Sequence, residues 1–296
     1  MIKQLDLFAG VGAFALAGER HGVKSVMSVE IDKYACKVLR HNFPNMEVYN
    51  NDIRELRTDY VSEHHGKIDI ITSGFPCTSY SIAGKRKGFD DPRTGDLFDQ
   101  TLRFIHALKP KIFILENVKG LLNHEKGKTF GAMLTRMGEL GCYDVQWQVL
   151  NSKDFGVPQN RERVYIVGSL RGECFRKIFP IRKNNEKYKV QRSSKKTSLE
   201  WVADFRNDEG LRIKKDLVSY TLLAQARQDG TAGQNIIKIK AKSMIRRLIP
   251  LECQRLQAFP DTWYDGLEMS DSQKYKQMGN SITVSVLEEI YKRIEL

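Results

Sequence analysis

The chain has 296 residues, is 41% hydrophobic and carries a net charge of +12. That is enough apolar material for one large domain or two modest ones, and no apolar run approaches the ~20 residues of a membrane-spanning helix. The five cysteines (Cys36, Cys77, Cys142, Cys174 and Cys253) are odd in number and widely spaced, with no CxxC pair. This argues against a disulfide framework or a zinc site and for a reducing cytoplasm. The six histidines show no metal-ligand spacing. Met1 to Asp6 begins a strand at once, without a signal-peptide pattern. Residues 171–247 hold 20 Lys and Arg against 8 Asp and Glu, while the remainder holds 28 against 28. A basic segment beside a neutral one is the footprint of a nucleic-acid binder, although charge alone fits a solvated face equally well.

Residues 2–7 read as a strand running into Phe8-Ala9-Gly10-Val11-Gly12, and a helix with Phe14, Leu16 and Ala17 on its apolar side follows. Strand, Gly-rich turn and helix open a nucleotide-type α/β domain. The third glycine of a dinucleotide fingerprint is missing, since Ala15 stands in its place. A second strand, Lys24 to Val29, ends in Glu30-Ile31-Asp32, where an acid commonly takes a ribose hydroxyl pair. A helix over 33–43 and a strand over 46–49 lead to Asn51-Asp52-Ile53. Gly10 with Gly12, Glu30 and Asp52 thus stand at three successive strand ends and outline an adenosine-sized pocket. Each also suits a cap or a turn.

Ile68 to Ser73 reads as a buried parallel strand. It ends in Gly74-Phe75-Pro76-Cys77-Thr78-Ser79, so Cys77 sits beyond a strand's carboxyl end, where ligands gather in open α/β sheets. Pro76 fixes φ just before it. A lone cysteine is usually a small core residue; here the neighbours point to a reactive thiol. Gly84, Gly88 and Gly95 punctuate a charged loop that reads as a hinged lid. A helix over 96–108 and a strand over 111–115 follow, the strand ending in Glu116-Asn117-Val118. Glu116, beside the strand of Cys77, is a candidate acid of raised pKa. Next come a helix over 128–140 and a strand over 143–150. Gln159-Asn160-Arg161-Glu162-Arg163 then leads into the strand Val164 to Gly168, with Arg161 and Arg163 alternating so that both can project to one side. Beyond about 171, Arg182, Lys183, Lys187, Lys189, Arg192, Lys195 and Lys196 crowd fifteen residues with no clear period. Thr231 to Asn235 is loop-like, Pro250 stands near a helix start, and Tyr275 to Ser281 precedes a closing helix over 282–294. No internal repeat is present.

In this order the motifs resemble those of the DNA cytosine-5 methyltransferases of bacteria and phages. The matching stretches are Asp6 to Gly12, Glu30 to Asp32, Asn51 to Ile53, Gly74 to Cys77, Glu116 to Val118, Gln159 to Arg163, Arg255 to Asp261 and Gly279 to Ser281. Each is short, but eight in order is specific. Four positions depart from the frequent pattern: Thr78 where Gln is usual, Ala13 and Ala258 where Gly is frequent, and Ile249 where Thr is frequent.

The resemblance implies an α/β S-adenosylmethionine-dependent methyltransferase fold, a Rossmann-like mixed sheet flanked by helices with one late antiparallel strand. It implies a catalytic domain of residues 1–170 plus 264–296 and a smaller basic target-recognition domain at 171–263. By the same resemblance Cys77 is the nucleophile, Glu116 acts at cytosine N3, Arg163 holds the cytosine O2 and Arg161 supports the site. S-adenosyl-L-methionine would meet Phe8, Gly10, Gly12, Glu30, Ile31, Asp52, Ile53, Pro76, Leu97, Asn280 and Ser281. The expected substrate is double-stranded DNA with its target cytosine flipped out, and the expected protein is a cytoplasmic monomer that needs neither metal nor membrane. The weighed alternatives are a tRNA cytosine-5 methyltransferase and a non-catalytic DNA-binding relative.

Overall fold

A computed structural model describes residues 1–76, 96–172, 177–182, 199–206, 210–214, 218–222, 232–239 and 244–294. Cys77, Thr78, the expected lid to Gly95, Cys174 and the basic cluster from Lys183 to Lys196 lie outside them. The chain divides into two compact units. The first comprises residues 1–150, 162–181 and 287–296; the second comprises 151–161 and 182–286.

The first unit is built on seven strands: β1 (Ile2–Leu7), β2 (Val23–Val29), β3 (Glu47–Tyr49), β4 (Ile70–Ser73), β5 (Ile112–Val118), β6 (Tyr143–Asn151) and β7 (Glu162–Leu170). Their order across the sheet is β3-β2-β1-β4-β5-β7-β6. The first five run parallel. β7 runs antiparallel to β5, pairing Glu116 with Tyr165 and Val118 with Arg163. The expected mixed sheet with a late antiparallel strand is therefore the fold of this unit. Interspersed with the strands are α1 (Ala13–Glu19), α2 (Lys33–Asn42), α3 (Thr58–His65), α4 (Leu97–Leu108) and α5 (Lys128–Glu139). The parallel strands are buried on both faces, as in sheets covered by helices: all of Ile70 to Ser73 is buried, and so is all of Ile112 to Asn117. The core joins Leu5, Leu7, Met27, Ile71, Phe113 and Leu115 of the sheet to Phe98, Phe104 and Ile105 of α4 and to Phe130, Met133 and Met137 of α5. Fully burying each such side chain contributes roughly 1.5–3 kcal/mol.

Helix boundaries follow local chemistry. Asp32 caps α2 by accepting from the amides of Tyr34 and Ala35 at 2.8 and 3.3 Å. Arg40 and His41 in its last turn complement the negative end of the helix dipole. Gly12 precedes α1 at φ +90°, and a Cβ there would come within 2.6 Å of the Phe43 ring. Only glycine therefore lets α1 start against the end of α2.

The second unit contains β8 (Leu199–Arg206), β9 (Gly210–Lys214), β10 (Ala232–Ile239) and β11 (Met244–Arg247), an antiparallel sheet in the order β9-β8-β10-β11. Thr231 to Asn235, expected as a loop, mostly belongs to β10: the ladder shifts register between Ala232 and Gln234, a bulge that accommodates the glycine between them. A two-residue strand, Gln159–Asn160, pairs in parallel with Ser219–Tyr220. α6 (Pro250–Leu256) begins at Pro250, as expected. Glu252 accepts from the Ile249 amide at 2.9 Å, but the Ile249 side chain has no oxygen to complete a reciprocal cap. Tyr275 to Ser281 precedes a closing helix, as expected, but is itself mostly helical. Most of it lies in α7 (Asp271–Asn280), and α8 (Val284–Tyr291) follows. Residues of α8 from Leu287 onward belong to the first unit. Among the described residues no helix is long and apolar enough to cross a membrane.

A buried polar chain ties α8 to the centre of the first sheet. Tyr291 donates its hydroxyl to Gln4 Oε1 at 2.6 Å, and Gln4 Nε2 donates to Asp6 Oδ1 at 2.7 Å. Ser25 and Thr72, from the strands on either side of β1, donate to the same carboxylate at 2.7 and 2.5 Å. Burial pushes the Asp6 carboxyl up to about 6 against these three donors. A raised acid favours the neutral form in the fold, so its contribution is complete below the unfolded value and is lost as pH rises through about 6. Asn at this position does not titrate. The stability of Asp6→Asn relative to wild type is thus expected to grow by roughly 2–3 kcal/mol between about pH 4 and about pH 7. Urea melts at the two pH values measure it, and a pH-independent difference would show that Asp6 ionises as in water.

Candidate functional site

Because β1 to β5 are parallel, their carboxyl ends share one edge, and the loops that follow carry nearly all the sequence-predicted groups of the first unit. After β1, Phe8 and Gly10 adopt φ values of +53° and +56°. A left-handed Phe is a strained conformation of the kind that collects at ligand sites. A Cβ on Gly10 would meet nothing within 4 Å, so its need for glycine lies in the backbone angle alone. The Gly10 amide donates to Glu30 Oε2 at 2.7 Å and the Asp32 amide to Glu30 Oε1 at 2.8 Å. Burial raises the Glu30 carboxyl against these two backbone donors. Each oxygen keeps a lone pair for an incoming hydroxyl, which fits the donor pair of a ribose. Beside it Ile31 is 66% exposed, a large apolar side chain standing at the site's rim. Asn50 Nδ2 donates to the carbonyls of Glu30 and Ile31 at 3.1 and 3.2 Å, joining the ends of β2 and β3. Asp52 is half-buried and Ile53 buried after β3. Leu97, in the first turn of α4, is buried with Phe98.

The end of β4 and the end of β5 are joined directly. Asn117 Nδ2 donates to the Phe75 carbonyl at 3.2 Å, which anchors the backbone one residue before Pro76 and two before Cys77. Glu116 and Arg163 are diagonal neighbours on one face of the β5–β7 ladder, the spacing at which long side chains meet. Arg163 Nε lies 3.0 Å from Glu116 Oε1, with the side chains 14% and 10% exposed. Arg163 Nη1 also donates to the Glu162 carbonyl at 2.8 Å. A guanidinium and a carboxylate so enclosed form an ion pair that solvent and salt screen little. The structure therefore brings together Glu116 with Arg163, and Gly10 with Glu30. Cys77 lies outside the described residues.

Arg161 has a different surrounding. It falls in the break between the two-residue strand and β7 and is 2% exposed. Nη2 donates to the carbonyls of Gly279 at 3.2 Å and Ser281 at 2.7 Å, and Nη1 to that of Leu222 at 3.2 Å. Arg161 and Arg163, which the sequence alternation allows to project to one side, have separate sets of partners. The end of α7, Gly279-Asn280-Ser281, is braced further within the same unit. Gln257 donates to the Met278 carbonyl at 2.9 Å and accepts from Thr283 at 2.7 Å, and Thr283 meets Ser152 at 2.8 Å. Sequence reasoning missed Gln257, Thr283 and Ser152 because their neighbours are distant in the chain. Among the described residues no group of three or more His, Cys, Asp or Glu could hold a metal ion.

Replacing Arg161 by Met keeps the aliphatic bulk but leaves the three carbonyls without their charged donor. The expected cost is at least about 3 kcal/mol, measured by urea unfolding. A loss under about 1 kcal/mol would mean that water replaces the guanidinium.

The model of the C-5 cytosine-specific DNA methylase family matches residues 2–240 and 185–296. The Type II methyltransferase M.Bsp6I of Bacillus sp. (strain RFL6) is 36% identical, over 99% of this chain and 98% of that protein. M.HpaII of Haemophilus parainfluenzae is 34% identical, over 98% and 88%. In fold, the chain is similar to the Spodoptera frugiperda DNMT2 crystal structure, with a TM-score of 0.75 at 20% identity over 99% of both chains. It is also similar to Schizosaccharomyces pombe Dnmt2, with a TM-score of 0.70 at 18% identity over 98% and 97%. The chain belongs to the C-5 cytosine-specific DNA methylase family and is a DNA cytosine-5 methyltransferase.

Proposed function

We propose that the chain methylates C5 of a flipped-out cytosine through a covalent adduct between the Cys77 sulfur and C6, within a specific duplex sequence. The observation that carries this reading is the enclosed Glu116–Arg163 pair, held beside the strand that leads into Pro76-Cys77. Cytosine C5 is a poor nucleophile, and a thiolate added at C6 makes it enamine-like. Cys77 supplies that thiolate. Glu116 holds a proton at N3, which draws electron density from C6 as the sulfur attacks. Arg163 orients Glu116 and donates to the cytosine O2. After methyl transfer a base removes the C5 proton and the Cys77 sulfur leaves. When bound, S-adenosyl-L-methionine supplies an electrophilic methyl group.

Glu30, with one donor already on each oxygen, takes the ribose hydroxyls, while Phe8 and Ile31 flank the adenine and Asp52 accepts from its amino group. Gly10, Gly12, Ile53, Pro76, Leu97, Asn280 and Ser281 complete the cofactor contacts by family resemblance. Arg161 supports the site through the backbone of Gly279 and Ser281 rather than by touching substrate. Residues 171–263 form the target-recognition domain, and their basic surplus supplies phosphate contacts. The protein acts as a cytoplasmic monomer.

Duplex DNA carrying 5-fluorocytosine at the target tests the mechanism, since fluorine blocks removal of the group at C5 and only a competent thiolate is trapped. Wild type is expected to form a denaturation-resistant adduct and Cys77→Ala none, while cofactor binding persists. An adduct in Cys77→Ala would remove it as nucleophile. Glu116→Gln is expected to slow the single-turnover rate by about 100-fold or more, with DNA affinity nearly retained.

A further inference from the structure

The Asp52 carboxylate is held on both oxygens by one neighbouring residue. Oδ1 accepts from the Arg54 amide at 2.9 Å, and Oδ2 accepts from Arg54 Nη1 at 2.8 Å. The same guanidinium turns its other edge to Asp96, with Nε to Oδ2 at 2.9 Å and Nη2 to Oδ1 at 2.5 Å. That second contact is the parallel two-bond fork by which arginine fixes a carboxylate in one plane. Gln100, one turn into α4, also donates to Asp96 Oδ2 at 3.3 Å. Asp96 directly precedes α4, and Arg54 draws its carboxyl below the usual range. A single arginine thus links the loop after β3 to the start of α4.

Stability does not account for this arrangement. The three side chains are 34%, 28% and 44% exposed, and ion pairs at such positions contribute about 0–1 kcal/mol. What the linkage does provide is orientation. A free aspartate on a loop samples several rotamers; one bonded on both oxygens by a guanidinium that is itself forked to a second carboxylate does not. The lone pairs left on Asp52 then point in one direction.

We propose that Arg54 is a positioning residue for recognition of the purine 6-amino group, holding Asp52 as a fixed acceptor and being held in turn by Asp96. The inference rests on the reading that Asp52 meets the adenine amine. A fixed carboxylate accepts from a 6-amino group and repels a 6-oxo group, so the linkage contributes discrimination, not merely affinity. Loss of Arg54 frees Asp52 to turn toward solvent and removes much of that discrimination.

The test uses the full chain and two probes, S-adenosylhomocysteine and its 6-oxo counterpart S-inosylhomocysteine, with dissociation constants measured by calorimetry. Wild type is expected to favour the amino form by about tenfold or more, the worth of one hydrogen bond to a charged group. In Arg54→Ala and in Asp96→Ala the preference is expected to fall at least about fivefold, while the melting temperature stays near that of wild type. The KM for S-adenosylmethionine rises far more than kcat falls. If Asp52→Ala loses the preference and Arg54→Ala keeps it, the positioning role of Arg54 is overturned while Asp52's role stands. If Asp52→Ala keeps the preference, the Asp52 assignment itself fails and the role of Arg54 falls with it. If Arg54→Ala loses the preference only together with a large drop in melting temperature, the residue is a structural strut and the proposal is also overturned.

Discussion

Five strands that run the same way must end on the same side. That constraint of the parallel ladder organises the first unit, because whatever follows each strand is delivered to one edge of the sheet. The loop after β1 brings left-handed Phe8 and Gly10, and the loop after β2 brings Glu30. The loop after β3 brings Asp52, and the stretch after β4 brings Pro76. None of these groups need be near another in sequence. Glu30 accepts from an amide twenty positions earlier because β1 and β2 are neighbours in register.

The antiparallel strand adds something a wholly parallel sheet could not. By running back along β5 it begins at the edge where β5 ends, so Arg163 enters beside Glu116 and not at the far side of the sheet. The ladder then sets the pair diagonally on one face and encloses both members. Arg161 departs from this ladder. Lying just before the strand, it turns its guanidinium onto three backbone carbonyls of the second unit, two of which flank Asn280. Two arginines two positions apart thus have separate partners, one a carboxylate and the other backbone carbonyls, two of them at the end of α7.

Strand ends were legible in the sequence because glycine, proline and acidic residues after apolar β-branched runs have few other uses. The same marks made Phe8 to Gly12, Glu30 and Glu116 visible one by one. Elements without an apolar period were not legible. In α3 only Val61 is fully buried, leaving too little pattern to see. α7 buries Gln277 and Gly279 alongside Met278, and residues that look like turn formers hid a helix. Within β10, Gly233 and Asn235 resemble a loop, and only cross-strand pairing with β8 makes the segment a strand. The partners of Arg161 are carbonyls, which every residue possesses and which therefore leave no mark in a sequence. Arg54 and Asp96 lie 42 positions apart, and nothing local announces that they meet.

The bond from Tyr291 to Gln4 spans 287 positions, nearly the whole chain, and it closes a network at the centre of the sheet. During synthesis the strand that starts the first unit emerges early, but the hydroxyl that satisfies its buried glutamine arrives only with α8. Most of the second unit, residues 182–286, lies in sequence between β7 and Leu287 and is made in the interval. The entropy of closing so long a loop grows only logarithmically with its length, so the contact is affordable at equilibrium but slow to find. Until α8 is made, the central polar cluster of the sheet is short of one donor.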